Sequence, residues 1–202
     1  LQDIPTLGID ESYLLTQDIY CDETFTPIGI DASCTPFNGT FDGDGFTIYD
    51  IFPSMWLGAS SLGLFCGLEN ATVTDLTLMN ATINGSSNVG ILAGYADSSN
   101  ISDVNVSGTV NGTSSEVGGL IGANYYGNID NCHANVTVFS DDIFAGGLVG
   151  LNVVLATINN SGATGNVVSD AFAGGLVGMN YYATVDNSYA TGDVLASAYA
   201  GG

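Results

Sequence analysis

The chain has 202 residues, with no lysine or arginine, 21 aspartates and glutamates, one histidine and a formal charge of −21. Nucleic-acid phosphates are bound through Lys and Arg, so the composition excludes nucleic acid as a partner and disfavours anionic membranes and acidic polysaccharides. Hydrophobic residues make up 46% of the chain, which excludes a disordered acidic tail. No apolar run approaches the roughly 20 residues that span a bilayer, so we expect no membrane insertion.

Residues 1–62 contain no repeat and are predicted to form a lead-in and cap for the repeats of residues 63–202. Because the chain begins with Leu1 rather than Met, we expect that an N-terminal segment such as a signal peptide has been removed. In an exported protein, Cys21 and Cys34 are predicted to form a disulfide. Cys66 and Cys132 occupy apolar positions of the repeats and are predicted to be buried thiols.

A glycine-flanked apolar pair recurs every 28 residues through the rest of the chain. It reads Gly-Leu-(Ile/Val)-Gly at 119–122, 147–150 and 175–178, with degenerate copies at 90–94 and 63–67. A fixed period of this size is typical of solenoids, in which each repeat buries its apolar side against its neighbours. Residues 63–202 therefore divide into five repeats, and Ala200-Gly201-Gly202 matches the start of another copy, so we expect the repeat to continue.

The pattern inside each repeat indicates β-strands. A second apolar column follows the glycine motif: Val73, Ile101, Ile129, Ile158 and Val185. Strict alternation over 132–138 predicts a half-buried strand. We predict an all-β, right-handed parallel β-helix with rungs of 27–28 residues and about three strands per rung. The glycines are expected to supply corner conformations that other residues avoid, and close backbone approach between rungs.

N-glycosylation sequons are dense in this sequence. Asn-x-Ser/Thr occurs at Asn38, Asn70, Asn80, Asn84, Asn100, Asn105, Asn111, Asn135 and Asn159. Covalent N-glycans on an exported protein explain this density. The alternative is that Asn, Ser and Thr are simply common at the turns and outer faces of β-solenoids.

Acidic and amide side chains recur at one position of successive repeats: Asp75, Asp103, Asn131, Asn160 and Asn187. Stacked at about 4.8 Å, they are predicted to form a hydrogen-bonded ladder at a corner. The alternative is cation binding at Asp75 and Asp103, whose stacked carboxylates suit Ca²⁺ and have no Lys or Arg to relieve their repulsion.

Two tyrosine pairs fall at matching positions, Tyr125-Tyr126 and Tyr181-Tyr182. They are candidates for stacking on sugar rings or contacting a partner, and packing against each other is the structural alternative. The single His133 is predicted to face outward and has no nucleophile paired with it. A polysaccharide lyase that uses Arg or Lys is excluded, whereas a hydrolase needs only two suitably spaced acids.

These motifs together resemble the GLUG repeat of bacterial and archaeal exported proteins. The resemblance rests on the glycine motif followed by "NYYATVDNSYATGDV" (180–194) and on "GLFCGLENATVTDLTL" (63–78). The upstream "YLLTQDI" (13–19), "PIG" (27–29) and "PFNGTFDGDGFTIYDI" (36–51) are similar to the lead-in that precedes such repeats. The absence of basic residues departs from the family. The resemblance implies a β-helix-like surface module and carries no catalytic residues.

We therefore expect a non-enzymatic, extracellular, glycosylated structural module of a cell-surface layer or filament. Solenoid ends present unpaired backbone groups, so head-to-tail stacking into a homo-oligomer or filament is expected. No cofactor is required, with Ca²⁺ as the candidate ion. The first alternative is an adhesin that binds glycans or protein through its tyrosine pairs, and the second is a polysaccharide hydrolase.

Overall fold

The computed structural model describes residues 1, 3–4, 8–21, 25–30, 34–53 and 60–202. Its strands, in chain order, are β1 (Ser12–Leu14), β2 (Ile19–Tyr20), β3 (Thr40–Asp42), β4 (Thr47–Tyr49), β5 (Phe65–Glu69), β6 (Thr72–Gly85), β7 (Ala93–Asp97), β8 (Asn100–Gly112), β9 (Val117–Gly118), β10 (Ile121–Tyr125), β11 (Asn128–Asp130), β12 (His133–Ser140), β13 (Ala145–Gly146), β14 (Val149–Val153), β15 (Thr157–Asn159), β16 (Gly162–Ala163), β17 (Val167–Ser169), β18 (Phe172–Gly174), β19 (Val177–Tyr181), β20 (Thr184–Asp186), β21 (Tyr189–Ala190), β22 (Val194–Ala196) and β23 (Tyr199–Gly201). Among these residues, no helix is long and apolar enough to cross a membrane.

The strands stack into three parallel sheets. Sheet A has 14 strands and follows the order β1-β3-β6-β8-β11-β15-β20, with the remaining seven strands alongside. Sheet B runs β5-β7-β10-β14-β19, and sheet C runs β9-β13-β18-β23. Each rung crosses the three sheets in turn, so the predicted all-β parallel solenoid is confirmed. The lead-in contributes the first layers of sheet A, since β1 pairs with β3 and β3 with β6.

The core is a set of columns that run along the coil. Val73, Ile101, Ile129 and Ile158 pair in register across sheet A and are at most 1% exposed. Phe41 continues this column toward the N-terminus, where its ring meets Phe65 with centroids 5.6 Å apart. Apolar burial of this kind supplies most of the stability in a chain that has no Lys or Arg for salt bridges.

A polar column also runs through the interior. The Asn124 amide donates to Asn152 Oδ1 at 2.9 Å, and the Asn152 amide donates to Asn180 Oδ1 at 2.8 Å. Asn124 and Asn152 are fully buried. Each bond joins residues 28 positions apart, so the ladder holds adjacent rungs in one register.

The glycines of the repeat serve close packing rather than unusual backbone conformations. A Cβ on Gly150 in β14 would lie 2.6 Å from the backbone nitrogen of Val117 in β9, which packs across it. The positive φ angles of the repeat corners belong mostly to other residues, including Asp103 (57°) and Asn131 (51°). The expectation that glycine supplies the corner conformations is therefore wrong, and short polar side chains that tolerate the left-handed region take that place.

Candidate functional surface

All nine sequon asparagines are among the described residues, and none is buried. Seven are exposed, and Asn111 and Asn159 are half-buried. The two asparagines that are fully buried, Asn124 and Asn152, belong to no sequon. The sequon side chains therefore lie where a glycan can be attached without disrupting the core.

The disulfide joins Cys34 to Cys66, with their Cα atoms 5.8 Å apart, so the predicted Cys21–Cys34 disulfide is wrong. Cys66 is buried, as predicted, but it belongs to this disulfide and is not a free thiol. Phe65, not Cys66, pairs with Ala93 in the register of sheet B. This one-residue shift turns Cys66 away from the core column and toward the segment that contains Cys34, which is anchored by the Ile28–Phe65 bridge.

Cys132 is a buried free thiol, as predicted. Burial raises the pKa of this thiol to about 12, so it stays protonated and unreactive at neutral pH. Its backbone N–H donates a hydrogen bond to the Ser161 hydroxyl of the next rung, at 3.1 Å. Cys132 therefore contributes to packing and to the contact between rungs.

The Asp/Asn column forms a corner between the two halves of sheet A. All five residues have left-handed φ angles: Asp75, Asp103, Asn131, Asn160 and Asn187. The Asn131 amide donates to Asp103 Oδ1 at 2.6 Å, which is a rung of the predicted ladder. The Asn160 amide instead reaches the neighbouring Asp130 at 2.8 Å. The ladder is thus partly diagonal, since Asn131 reaches a carboxylate of its own column and Asn160 one of the neighbouring column.

Cation binding at Asp75 and Asp103 remains a prediction. Within the described ranges, no group of three or more His, Cys, Asp or Glu side chains is placed to hold a metal ion. Two carboxylates offer at most four oxygens, whereas Ca²⁺ takes six to eight. An ion here would need water or further ligands to complete its shell.

The tyrosine pairs lie at the corner between sheets B and A, two layers apart. Tyr125, Val153 and Tyr181 are in register, so a valine layer separates the pairs. Tyr126 is 55% exposed and Tyr182 is 75% exposed. Tyr181 and Tyr182 pack edge to face with ring centroids 4.3 Å apart. The rings of Tyr181 and Tyr182 therefore pack against each other, as the structural alternative predicts, and still face solvent.

Tyr125 differs from the other three tyrosines because it is half-buried. Burial raises the pKa of its phenol, and the Glu116 and Asp97 carboxylates raise it further. Its phenol therefore keeps its proton to a higher pH than an exposed tyrosine does.

The sequence prediction missed two apolar residues between the tyrosine pairs. Val154 is 37% exposed and Leu155 is 78% exposed at this corner. The intervening rung has one residue more here, since Asn128 and Thr157 are 29 positions apart rather than 28. We call the surface formed by Tyr125, Tyr126, Val154, Leu155, Tyr181 and Tyr182 the aromatic patch. Contiguous exposed apolar side chains of this kind mark interaction surfaces.

His133 faces outward, as predicted, and lines a groove of about 220 Å³ on sheet A. The groove is also lined by Thr77, Met79, Asn105, Ser107 and Asn135. His133 Nδ1 is buried and has no hydrogen-bond partner among the described residues. The Tyr189 ring lies over Gly162 and comes within 6.2 Å of the imidazole, centroid to centroid.

Three comparisons with known proteins bear on this arrangement. The model of the GLUG motif matches residues 113–138 and 173–195. Halomucin of Haloquadratum walsbyi is 37% identical over 100 residues, which span 45% of this chain and 1% of halomucin. The "putative immunoglobulin A1 protease" of Bacteroides ovatus has a similar structure, with a TM-score of 0.67 and 16% identity over 98% of this chain and 81% of the other. At that identity the likeness extends to the fold alone.

The stacked parallel sheets, close-packed glycines and outward polar columns define a β-solenoid. Each matched segment contains one glycine motif, 119–122 or 175–178, and strands that follow it. Two segments of the chain match the GLUG motif, which confirms the resemblance to GLUG-repeat proteins. The matched part is a very small share of halomucin, so the activity and partners of that whole protein are not transferred to this chain.

Proposed function

We propose that this chain is a non-enzymatic, N-glycosylated structural module of a cell-surface or extracellular protein. The observation that carries the proposal is the outward placement of all nine sequon asparagines, against burial of two non-sequon asparagines. The similarity to halomucin and the GLUG motif supports an exported, surface-exposed setting. In this role the coil is a rod whose surface presents glycans and carboxylates.

The glycosylation proposal predicts which asparagines carry sugar. When the chain is secreted by an N-glycosylating host, we expect glycans at exposed sequons such as Asn38, Asn70 and Asn135, and none at Asn124 or Asn152. Site-resolved mass spectrometry checks this; the chain has no Lys or Arg, so the peptides must come from pepsin or an acid-specific protease. Nine bare sequons would contradict the proposal.

Head-to-tail self-stacking is the second part of the proposal. Strand edges at the two ends of a solenoid carry unpaired backbone N–H and C=O groups, and an added rung would pair them. Sedimentation and electron microscopy should show rods that lengthen with concentration, and a monomer throughout the accessible range would contradict stacking.

The aromatic patch favours a second candidate function, that of an adhesin that binds glycan or protein. We expect Tyr182→Ala to weaken binding to a glycan-array ligand about fivefold to 100-fold, because one aromatic contact contributes about 1–3 kcal/mol. Tyr20→Ala is the matched control, since Tyr20 is 69% exposed but lies on a different sheet. Equal binding by both variants, or no array ligand at all, would remove this candidate.

A polysaccharide hydrolase is the least supported function. Stacked carboxylates one or two rungs apart match the spacing of glycosidase acid pairs by geometry alone. Turnover of a neutral polysaccharide that one Asp→Asn change abolishes would establish it.

A further inference from the structure

The His133 groove has a sequon asparagine in its wall. Asn105 of β8 pairs in register with His133 of β12, so their Cα atoms are about 4.8 Å apart. Asn105 is exposed and lines the groove together with Ser107, the third residue of its own sequon. A sugar attached to Asn105 therefore starts inside the groove rather than at a distance from it.

We propose that the groove holds the first sugar of an N-glycan on Asn105, with the sugar packed over His133. This inference rests on the proposed glycosylation and adds a defined docking site to it. Covalent attachment makes the docking intramolecular, so even a shallow site is filled without high intrinsic affinity.

The groove offers what a neutral sugar ring needs. The apolar atoms of Met79 and the imidazole of His133 can cover the C–H face of the sugar. Thr77 and Ser107 bring hydroxyl groups to the same wall. Pockets with mostly apolar walls and a few polar groups are typical of small-molecule sites.

The charge of the chain limits the kind of sugar that the groove can hold. The groove favours a neutral sugar, because a carboxylated sugar would meet a chain of charge −21.

Asn105 is a better attachment point than the other sequon asparagine of the groove. Asn135 lies two residues beyond His133 on the same strand, and its register partner is Ser107 rather than the imidazole. Asn105, in contrast, is the register partner of His133 itself.

The single histidine makes the inference directly measurable. Diethyl pyrocarbonate modifies imidazole, so in this chain the histidine reaction reports on His133 alone. Four forms secreted by a glycosylating host are compared: wild type, Ser107→Ala, Ser107→Thr and Ser86→Ala. Ser107→Ala removes the Asn105 sequon but keeps Asn105, Ser107→Thr retains the sequon, and Ser86→Ala removes only the Asn84 sequon.

We expect His133 in wild type, Ser107→Thr and Ser86→Ala to react about fivefold more slowly than in Ser107→Ala, a ratio equivalent to about 1 kcal/mol. The ¹⁵N resonance of Nδ1 should shift between the same two groups. A change caused by the lost hydroxyl alone would also appear in unglycosylated protein from a host without the pathway, and would overturn the inference.

Mass spectrometry of the Asn105 peptide separates the remaining outcomes. An Asn105 glycan with equal His133 reactivity in wild type and Ser107→Ala overturns docking and leaves glycosylation intact. A bare Asn105 beside other occupied sequons overturns this inference alone, whereas nine bare sequons overturn the proposed function as well. Protection of the Ser107→Ala protein by a free monosaccharide would assign the groove to a non-covalent ligand and overturn the covalent occupant.

Discussion

Replacing Gly146 with alanine should lower the stability of the fold by about 2–4 kcal/mol, because the new methyl group meets backbone on two sides. A Cβ on Gly146 would lie 2.0 Å from the carbonyl oxygen of Val149 and 2.6 Å from the nitrogen of Gly178. Neither atom can move without displacing a strand. In thermal unfolding the expected loss is about 6–12 °C.

Gly201→Ala is the matched control when the 202-residue chain is measured at a concentration at which it is a monomer, since Gly201 holds the same position two rungs later and no further rung then covers it. Gly146 pairs with Gly174, which pairs with Gly201, yet a Cβ on Gly201 would meet nothing within 4 Å. Both substitutions reduce the entropy of the unfolded chain equally, so that contribution cancels. Equal melting temperatures for the two variants would show that close approach is not what the motif glycines provide.

Replacing Cys34 with serine should cost about 3–4 kcal/mol, because the disulfide closes a loop of 32 residues in the unfolded chain. The loss should fall on the first layers of the coil, where the Ile28–Phe65 bridge joins the lead-in to sheet B. Urea unfolding measures the loss, and thiol labelling under denaturing conditions should detect the Cys66 thiol in the variant but not in the wild-type chain.

Cys21→Ser is the control for the pairing itself. It leaves the bond between Cys34 and Cys66 in place, so a non-reducing digest of this variant should still contain the cross-linked peptide. A peptide linking Cys21 to Cys34 in the wild-type chain would contradict the structure and restore the sequence-based pairing.

The period of the repeat is sufficient to predict the coil and most of its columns. Val73, Ile101, Ile129 and Ile158 are in register because a period of 28 requires it, and burial follows from their apolar side chains. The outward position of His133 follows equally from alternation along one strand. The apolar column and the outward position of His133 depend only on the spacing of residues along the chain, which can be read from the sequence.

The wrong disulfide prediction lies where the spacing of the repeat changes by one residue. The glycines of the first two motifs, Gly63 and Gly90, are 27 residues apart, yet Phe65 pairs with Ala93, so Cys66 faces away from the core. Leu155 adds a residue to its rung at the aromatic patch. This change in spacing is visible only when the residues on both sides of Leu155 are aligned with the preceding rung. A single residue reverses the side of a strand that a side chain faces.

Other features depend on neighbours that the sequence does not bring together. The Asn124–Asn152–Asn180 ladder is visible as a column in the sequence, but its burial depends on how the corner closes over it. The walls of the His133 groove come from β6, β8 and β12, and the Tyr189 ring covers Gly162 beside the imidazole. Neither effect can be derived from composition or spacing.

The extra residue at Leu155 has a consequence for how such coils change length. Asn128 and Thr157 are 29 positions apart, and Ser161 and Ser188 are 27 apart, while sheet B keeps 28 on both sides at Asn152. The coil thus absorbs an added residue at one corner without passing the shift to the next rung. This corner is a natural place to graft a foreign loop, so the protein offers a rigid scaffold for peptide display along its axis.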